Sequence, residues 1–289
     1  MELLDGKKTS STIRDEIKAK VSIRKAEGKK IPHLAAVIVG ENGASLTYVN
    51  AKVKACEYVG FESTLVQLPA DISEADLLNK ITALNADENI DGYIVQLPLP
   101  KHINELKITQ AISPLKDVDG FHPENIGKMV LDIPGFLPAT PYGIVQLLDR
   151  YHIETSGKHC VVVGRSHIVG SPMSILMSRN NKVGNSTVTL THSRTKNLEE
   201  ITRTADILIV ALGKTEFITG DMVKEGVVVV DVGITRVSDD SKKSGFRLLG
   251  DVKFDEVAKK ASYITPVPGG VGPMTIASLL MNTLSAVEK

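Results

Sequence analysis

Tyr48 and Lys52 have the residue types and the spacing for acid–base chemistry. They lie four residues apart on a segment with helical periodicity, so a helix places both side chains on one face, one turn apart. A phenol and an amine there could bind a planar substrate and protonate it, provided that desolvation lowers the pKa of the amine toward the working pH. The same spacing also occurs on ordinary solvated helices, and the pair alone does not decide between these interpretations.

Two further polar groups, Gln96 and Asp119, lie among prolines near expected strand ends, in segments 95–100 and 116–123. The carboxyl ends of strands are where α/β sheets bind ligands. Gln96 could donate to and accept from a heterocycle, and Asp119 could hold the amino-pyrimidine edge of a pterin by paired hydrogen bonds. A capping glutamine and a turn-forming aspartate are the structural alternatives.

A glycine turn follows an apolar run at Gly164, and a helix is expected to open near Pro172. Such a turn directs backbone N–H groups and the positive end of a helix toward a phosphate. The spacing departs from the G-x-G-x-x-G fingerprint, because Ser166 and Val169 hold the second and third glycine positions. Nucleotide binding and an ordinary strand-to-helix turn therefore both stay open on spacing alone.

The end of the next strand favours NADP over NAD. A fold that binds NAD places an acidic residue about 20 positions further on to hold the ribose 2′-hydroxyl. Residues 191–195 instead carry hydroxyl and cationic side chains, among them Ser193. Arg165 in the glycine turn can offer a bidentate fork to phosphate oxygens. These donors suit a 2′-phosphate, and the alternative is a solvated basic loop.

Segment 265–275 contains three glycines and three prolines. It predicts a stiff path whose bare backbone can approach a ligand closely, with a purely structural hinge as the alternative. An apolar stripe at helical spacing follows and must pack on another element. Its members are Ile276, Leu279, Leu280, Leu284 and Val287.

Short β-branched runs alternate with segments of helical period, which is typical of an α/β protein with a mostly parallel sheet. We expect helices around residues 44–59 and 73–86, a domain boundary near 138–141, and an exposed loop or hairpin over 237–247. The expected strands are 34–39, 63–68, 92–97, 159–163, 186–191, 206–211 and 227–232.

The 289-residue chain has 34 basic and 34 acidic residues, so no net charge attracts nucleic acid or anionic lipid. The chain starts without an export signal, and no apolar run of about 18 residues occurs, so we expect a soluble, cytoplasmic protein. Cys56 and Cys160 fit no zinc or redox spacing and are expected to be packed thiols. The seven histidines show no His-x-x-x-His pair, which disfavours a metal-dependent hydrolase.

Taken together, the motifs resemble the bifunctional methylenetetrahydrofolate dehydrogenase/cyclohydrolase (FolD) family over nearly the whole chain. They are Tyr48-Val-Asn-Ala-Lys52, Val95-Gln-Leu-Pro-Leu-Pro100, Lys116-Asp-Val-Asp-Gly-Phe-His-Pro123, Thr140-Pro-Tyr-Gly143, Gly164-Arg-Ser166 with Val169-Gly170 and Pro172, Asp231-Val-Gly-Ile234 and Pro266-Val-Pro-Gly-Gly-Val-Gly-Pro-Met-Thr275. The departures are small: Lys253 replaces a usual acid, Ala139 stands where many members have cysteine, and the 237–247 loop is longer than expected.

The resemblance implies a homodimer of two-domain subunits with folate in a cleft between the domains. Residues 1–140 would form an α/β catalytic domain, joined by a returning helix over 274–289, and residues 141–273 a Rossmann-type NADP domain. The implied catalytic residues are Lys52, Tyr48, Gln96 and Asp119. The implied NADP contacts are Gly164, Arg165, Ser166, Ser193 and Ile234. The implied substrate contacts are Tyr48, Lys52, Val95, Gln96, Leu97, Asp119, Pro268, Gly269, Gly270, Val271, Gly272, Pro273 and Thr275.

The implied reactions are NADP-dependent oxidation of 5,10-methylenetetrahydrofolate and hydrolysis of the methenyl product to 10-formyltetrahydrofolate. Lys52 would be the general acid/base of the hydrolysis. Two alternatives stay open: a monofunctional dehydrogenase using NAD or NADP, and a non-catalytic module that binds NADP or folate.

Overall fold

The structure is a computed structural model that describes residues 1–40, 43–242 and 245–288. The strands are β1 (Glu2–Leu3), β2 (His33–Val39), β3 (Glu62–Leu68), β4 (Gly92–Val95), β5 (His159–Val163), β6 (Thr187–Thr191), β7 (Ile207–Val210), β8 (Val228–Asp231), β9 (Thr235–Ser238), β10 (Phe246–Leu249) and β11 (Tyr263–Ile264). The helices are α1 (Gly6–Ala26), α2 (Gly43–Val59), α3 (Glu74–Ala86), α4 (Glu105–Ala111), α5 (Pro123–Val130), α6 (Ala139–Arg150), α7 (Gly170–Ser178), α8 (Leu198–Arg203), α9 (Phe254–Val257) and α10 (Val271–Ala286).

The chain divides into two compact units. The six-stranded unit comprises Met1–Ser10 and Thr140–Thr275, and the three-stranded unit comprises Ser11–Ala139 and Ile276–Lys289. Each unit is built on a parallel sheet, which confirms the α/β class. Among the described residues, no helix combines the length and the apolar character needed to cross a membrane.

The sheet of the three-stranded unit has the order β3-β2-β4. β2 is central and is apolar after His33, because a strand covered on both faces has no solvent side. Its Ala35 and Val37 pack with Tyr93 of β4 and with Leu77 of α3 in one buried cluster. This core fixes the position of β4 and therefore of its carboxyl end, where the chain continues toward Gln96.

The element bounds in this unit differ from the expected ones by a few residues. Ser73 caps α3, since its Oγ accepts from the backbone N–H of Asp76 at 3.0 Å, so the helix begins at Glu74. β4 was expected to reach Leu97 but ends at Val95. The chain turns there because Pro98 has no N–H with which to continue the ladder.

The sheet of the six-stranded unit has the order β1-β11-β8-β7-β5-β6. β5, β7 and β8 are short and almost wholly buried, as expected for central parallel strands. β1 at one edge has no counterpart among the expected strands. It is held by Glu2 N–H donating to Ser262 O at 2.8 Å and Leu4 N–H donating to Ile264 O at 2.9 Å.

The segment expected to form an exposed loop or hairpin is a hairpin. β9 and β10 pair antiparallel, with Thr235 opposite Leu249 and Ser238 opposite Phe246. The guanidinium of Arg236 lies 4.7 Å from the centre of the Phe246 ring, a cation–π contact. Residues 243 and 244 of this segment lie outside the described part of the chain.

The last helix, α10, buries most of its predicted stripe. Leu279, Leu280 and Leu284 are at most 4% exposed, whereas Ile276 is half-buried. Val287 lies just past the end of the helix, and its N–H donates to Leu284 O at 3.2 Å. The helix contributes its residues from Ile276 onward to the three-stranded unit.

Candidate functional site

Lys52 is a buried amine on α2, with 9% of its surface exposed. Its Nζ donates to Gln96 Oε1 at 3.1 Å, and Gln96 Nε2 donates to Leu97 O at 2.7 Å. Because the Gln96 amide is anchored through its nitrogen, its oxygen is directed at the amine. Burial lowers the pKa of Lys52, and the attraction of Asp119 opposes that shift. The neutral amine is therefore favoured more than for a lysine in water.

Asp119 is the acidic counterpart of this amine. Burial raises its pKa and the charge of Lys52 lowers it, so each group affects the titration of the other. Its backbone oxygen accepts from Ala139 N–H at 3.2 Å, and Gly120 follows with a φ of +76°, which favours glycine. The structure thus brings Lys52, Gln96 and Asp119 together at the end of β4.

Tyr48 differs from Lys52 in its surroundings, although the two share one helix. Its side chain is 41% exposed, whereas Val49 beside it is fully buried. The phenol ring is therefore available to a ligand. Val95 packs in the core cluster with β2, and Leu97 lies partly buried at its margin.

Asp117 is a buried carboxylate that the sequence analysis did not single out. It is 1% exposed, and its Oδ2 accepts from His122 N–H at 2.7 Å and from Asn125 Nδ2 at 2.9 Å. Burial raises its pKa to about 6. It ties the loop that carries Asp119 to the start of α5. The sequence signal that could have pointed to Asp117 is that it is a second aspartate, two residues before Asp119.

The glycine turn in the six-stranded unit leaves no room for a side chain at Gly164 or at Gly170. Gly164 has a φ of +114°, and a Cβ on it would lie 2.2 Å from Ala211 O. A Cβ on Gly170 would lie 1.9 Å from Gly164 O. Ser166 Oγ accepts from Val169 N–H at 3.1 Å, and the Arg165 side chain is exposed. The start of α7 therefore lies directly against a turn without side chains at these two positions, an arrangement in which backbone N–H groups and a helix N-terminus can bind a phosphate.

The loop after β6 presents donors and no acid. Thr191 turns inward, with its hydroxyl donating to Val162 O at 3.1 Å, whereas Ser193 and Arg194 are exposed. The loop is shaped by His192 N–H, which donates to Thr195 Oγ1 at 2.9 Å. A ribose phosphate would meet hydroxyl and guanidinium donors here, and the residues present therefore suit NADP.

Two buried carboxylates fix the loops at the ends of β7 and β8. Asp231 accepts from Gly233 N–H at 2.9 Å and from Val252 N–H at 2.9 Å. Asp251 Oδ2 accepts from Leu212 N–H at 2.6 Å and from Gly213 N–H at 2.8 Å. Their contacts hold the chain just before Ile234, whose side chain is 46% exposed.

The returning helix was expected over 274–289, but the structure starts α10 at Val271, so the second half of segment 268–275 is helical. Pro273 is compatible with this first turn, because N–H groups there have no partner within the helix. Gly269 has a φ of +109°, and its carbonyl accepts from Lys7 N–H at 2.8 Å. Thr275 Oγ1 lies 3.0 Å from Thr140 Oγ1, a pairing that the sequence did not indicate.

Comparison with known families accounts for both units. Residues 4–119 match the catalytic domain of tetrahydrofolate dehydrogenase/cyclohydrolase, and residues 138–289 match the NAD(P)-binding domain of the same enzyme. The chain belongs to the tetrahydrofolate dehydrogenase/cyclohydrolase family. The resemblance drawn from the motifs is thereby confirmed.

Relatives within the tetrahydrofolate dehydrogenase/cyclohydrolase family match end to end. Bifunctional protein FolD of Cytophaga hutchinsonii is 74% identical over 286 residues, which is 99% of each chain. That of Flavobacterium johnsoniae is 67% identical over 99% of this chain and 97% of its own.

Solved structures of the family agree in fold. The bifunctional enzyme FolD from Campylobacter jejuni is 48% identical, with a TM-score of 0.93 over 100% of this chain and 99% of its own. The Trypanosoma brucei enzyme, complexed with NADP cofactor and inhibitor, is 37% identical, with a TM-score of 0.92 over 98% of this chain and 96% of its own.

Proposed function

We propose that Lys52, Gln96, Tyr48 and Asp119 carry out the chemistry of this bifunctional enzyme. It oxidises 5,10-methylenetetrahydrofolate with NADP and hydrolyses the methenyl product to 10-formyltetrahydrofolate, as its family membership and its bifunctional relatives show. The relatives favour two activities over a monofunctional or non-catalytic protein. The observation that carries the residue assignment is the buried Lys52 amine, held by Gln96 and lowered in pKa.

Lys52 serves as the proton carrier of the hydrolysis. In its neutral form, Nζ accepts a proton from water as the water oxygen bonds to the methenyl carbon. It then returns a proton to N5 as the bond between that carbon and N5 breaks, and the hydroxyl proton leaves to solvent. The bond to Gln96 Oε1 fixes the direction of the amine during both transfers.

Tyr48 and Asp119 orient the substrate. The exposed Tyr48 ring offers a face on which a pterin can stack. The ionised Asp119 carboxylate accepts from two N–H groups of the amino-pyrimidine edge, a paired and charge-assisted contact. Because burial raises the pKa of Asp119, this recognition weakens in acid. Val95 and Leu97 complete the substrate contacts of this proposal.

The glycine turn and the loop after β6 hold NADP. When bound there, NADP would supply the hydride acceptor for oxidation of the one-carbon bridge of the substrate. Arg165 and Ser193 donate to the 2′-phosphate, while Gly164 and Ser166 line the phosphate path and Ile234 supplies an apolar contact. The further substrate contacts of the proposal lie just before α10 and in its first turns. They are Pro268, Gly269, Gly270, Val271, Gly272, Pro273 and Thr275.

Assembly as a homodimer and a cytoplasmic location complete the proposal, and both rest on the family resemblance. Light scattering on the purified protein tests the assembly. Twice the mass of one chain is the expected result, and the mass of a single chain would overturn it.

A two-stage absorbance assay tests the proposed function. Purified protein receives 5,10-methylenetetrahydrofolate with NADP or with NAD, and the decay of the methenyl product is then followed. We expect reduction with NADP and decay faster than the spontaneous rate, with Lys52→Ala losing the second activity and retaining part of the first. Full hydrolytic activity in Lys52→Ala would remove Lys52 from the mechanism.

A further inference from the structure

The loop that carries Asp119 rests directly on the backbone of residues 137–139. Ala139 N–H donates to Asp119 O at 3.2 Å. A Cβ on Gly120 would lie only 2.5 Å from the carbonyl carbon of Leu137. The two segments therefore touch backbone to backbone, and the position of Asp119 depends on how they are held together.

One side chain bridges these two segments. Asn282 of α10 is 5% exposed, and its Nδ2 donates to Val118 O at 2.8 Å and to Leu137 O at 2.9 Å. An amide nitrogen carries two protons, so both donors of Asn282 are used by this pair of carbonyls. Val118 directly precedes Asp119, and Leu137 is the residue against which Gly120 packs.

Because Asn282 is buried, losing its two hydrogen bonds would be costly. Its neighbours on the helix, Leu279, Leu280 and Thr283, are at most 1% exposed, so the amide lies in the protein interior. Burial of an amide in such surroundings is unfavourable unless it is hydrogen-bonded. Removing it would leave the buried Val118 carbonyl and the part-buried Leu137 carbonyl without these donors.

We propose that Asn282 is a positioning residue for folate recognition. It ties the backbone just before Asp119 to the Leu137 backbone on which Gly120 packs, and so holds the Asp119 carboxylate in its place beside Lys52. The inference rests on the proposed role of Asp119 in binding the pterin, and it assigns to the C-terminal helix a part in substrate affinity.

The first test compares Asn282→Leu with Thr283→Val. Leucine has the same number and branching of side-chain heavy atoms as asparagine and no donor. Thr283 is a matched control, because it is buried on the same helix and its hydroxyl donates only within the helix, to Leu279 O at 2.8 Å. We expect the Kd for tetrahydrofolate, measured by calorimetry, to rise about tenfold in Asn282→Leu. The KM for NADP should stay within about twofold in both variants, and the folate Kd should stay unchanged in Thr283→Val.

The second test asks whether Asn282 acts through Asp119. Asp119→Asn is made alone and combined with Asn282→Leu, and the folate Kd is measured in each. We expect Asn282→Leu to add less than about twofold once Asp119 is replaced, because residues that act through one another are non-additive. Additive effects would overturn the inference, as would an unchanged Kd in Asn282→Leu alone.

The two proposals fail in different ways. If Asp119→Asn leaves the folate Kd unchanged, the proposed role of Asp119 is wrong. If Asp119→Asn weakens binding and Asn282→Leu does not, only the role of Asn282 is wrong. Should Asn282→Leu not fold, Asn282→Ser keeps one donor and should raise the Kd about threefold; an unchanged Kd there would also overturn the inference.

Discussion

Gly170→Ala should separate the two activities of the enzyme. A Cβ at this position would lie 1.9 Å from Gly164 O and 2.5 Å from Gly164 C, and Cβ contacts under 3.0 Å essentially never occur. The neighbouring atoms are backbone, so no side chain can rotate away. The start of α7 and the glycine turn must therefore separate by about 1 Å, and such overpacking costs roughly 1–3 kcal/mol of stability.

The displacement falls where NADP phosphates are proposed to bind. Losing one charge-assisted hydrogen bond costs roughly 1.5–3 kcal/mol, which is about a tenfold to hundredfold rise in Kd. We expect a rise of that size for NADP, measured by calorimetry. Hydrolysis of 5,10-methenyltetrahydrofolate, assayed without NADP, should stay within about twofold, because Lys52 lies in the other unit.

Gly127→Ala is the matched control for this prediction. Gly127 lies within α5, and nothing lies within 4 Å of an added Cβ. We expect unchanged NADP affinity and a slightly raised Tm, since alanine is the better helix former. An NADP Kd in Gly170→Ala equal to that of the unmodified protein would refute the argument that the bare turn shapes the phosphate site.

Three further predictions concern single side chains. Lys52→Ala should abolish hydrolysis of the methenyl substrate and spare part of the dehydrogenase activity, as measured by the two absorbance stages. Ser193→Ala should raise the Kd for NADP about tenfold and leave that for NAD unchanged, because only the 2′-phosphate loses a donor; equal effects on both nucleotides would contradict this. Asp231→Asn should change the pH dependence of stability. Burial raises the pKa of Asp231 from 3.8 to about 6 in the folded protein. Between these two values the folded state holds a proton that the unfolded state has lost, so the protonated carboxyl stabilises the fold in acid, and this stabilisation is lost as the pH rises through about 6. The Tm of the variant minus that of the unmodified protein should therefore increase between pH 4 and pH 6.5, and a constant difference would contradict the assignment.

The central strands were predictable because burial on both faces demands a continuous apolar run. β5 begins and ends where its Cys-Val-Val-Val sequence predicts, and β7 and β8 are within one residue of the expected bounds. β1 was not predictable, since two residues carry no periodicity. Its pairing with β11 joins positions more than 250 residues apart.

The sequence predicted the residue types of the candidate site, but it did not predict the burial or the hydrogen-bond partners of those residues. Spacing places Tyr48 and Lys52 near one helix face, yet one is 41% and the other 9% exposed, because neighbouring elements cover only Lys52. Asp117 and Asn282 were missed for a related reason. Their hydrogen bonds depend on where α5 and α10 pack, which no local pattern in the sequence encodes.

Each unit of this protein is assembled from two stretches of chain that are far apart in sequence. The six-stranded sheet includes β1 from Met1–Ser10, and the three-stranded unit includes Ile276–Lys289. During synthesis, neither unit can be completed until the last few dozen residues have left the ribosome. The contact order of the native state is correspondingly high, and slow folding is expected. A gene divided at the junction near residue 139 would encode two fragments, each lacking a piece of its own core.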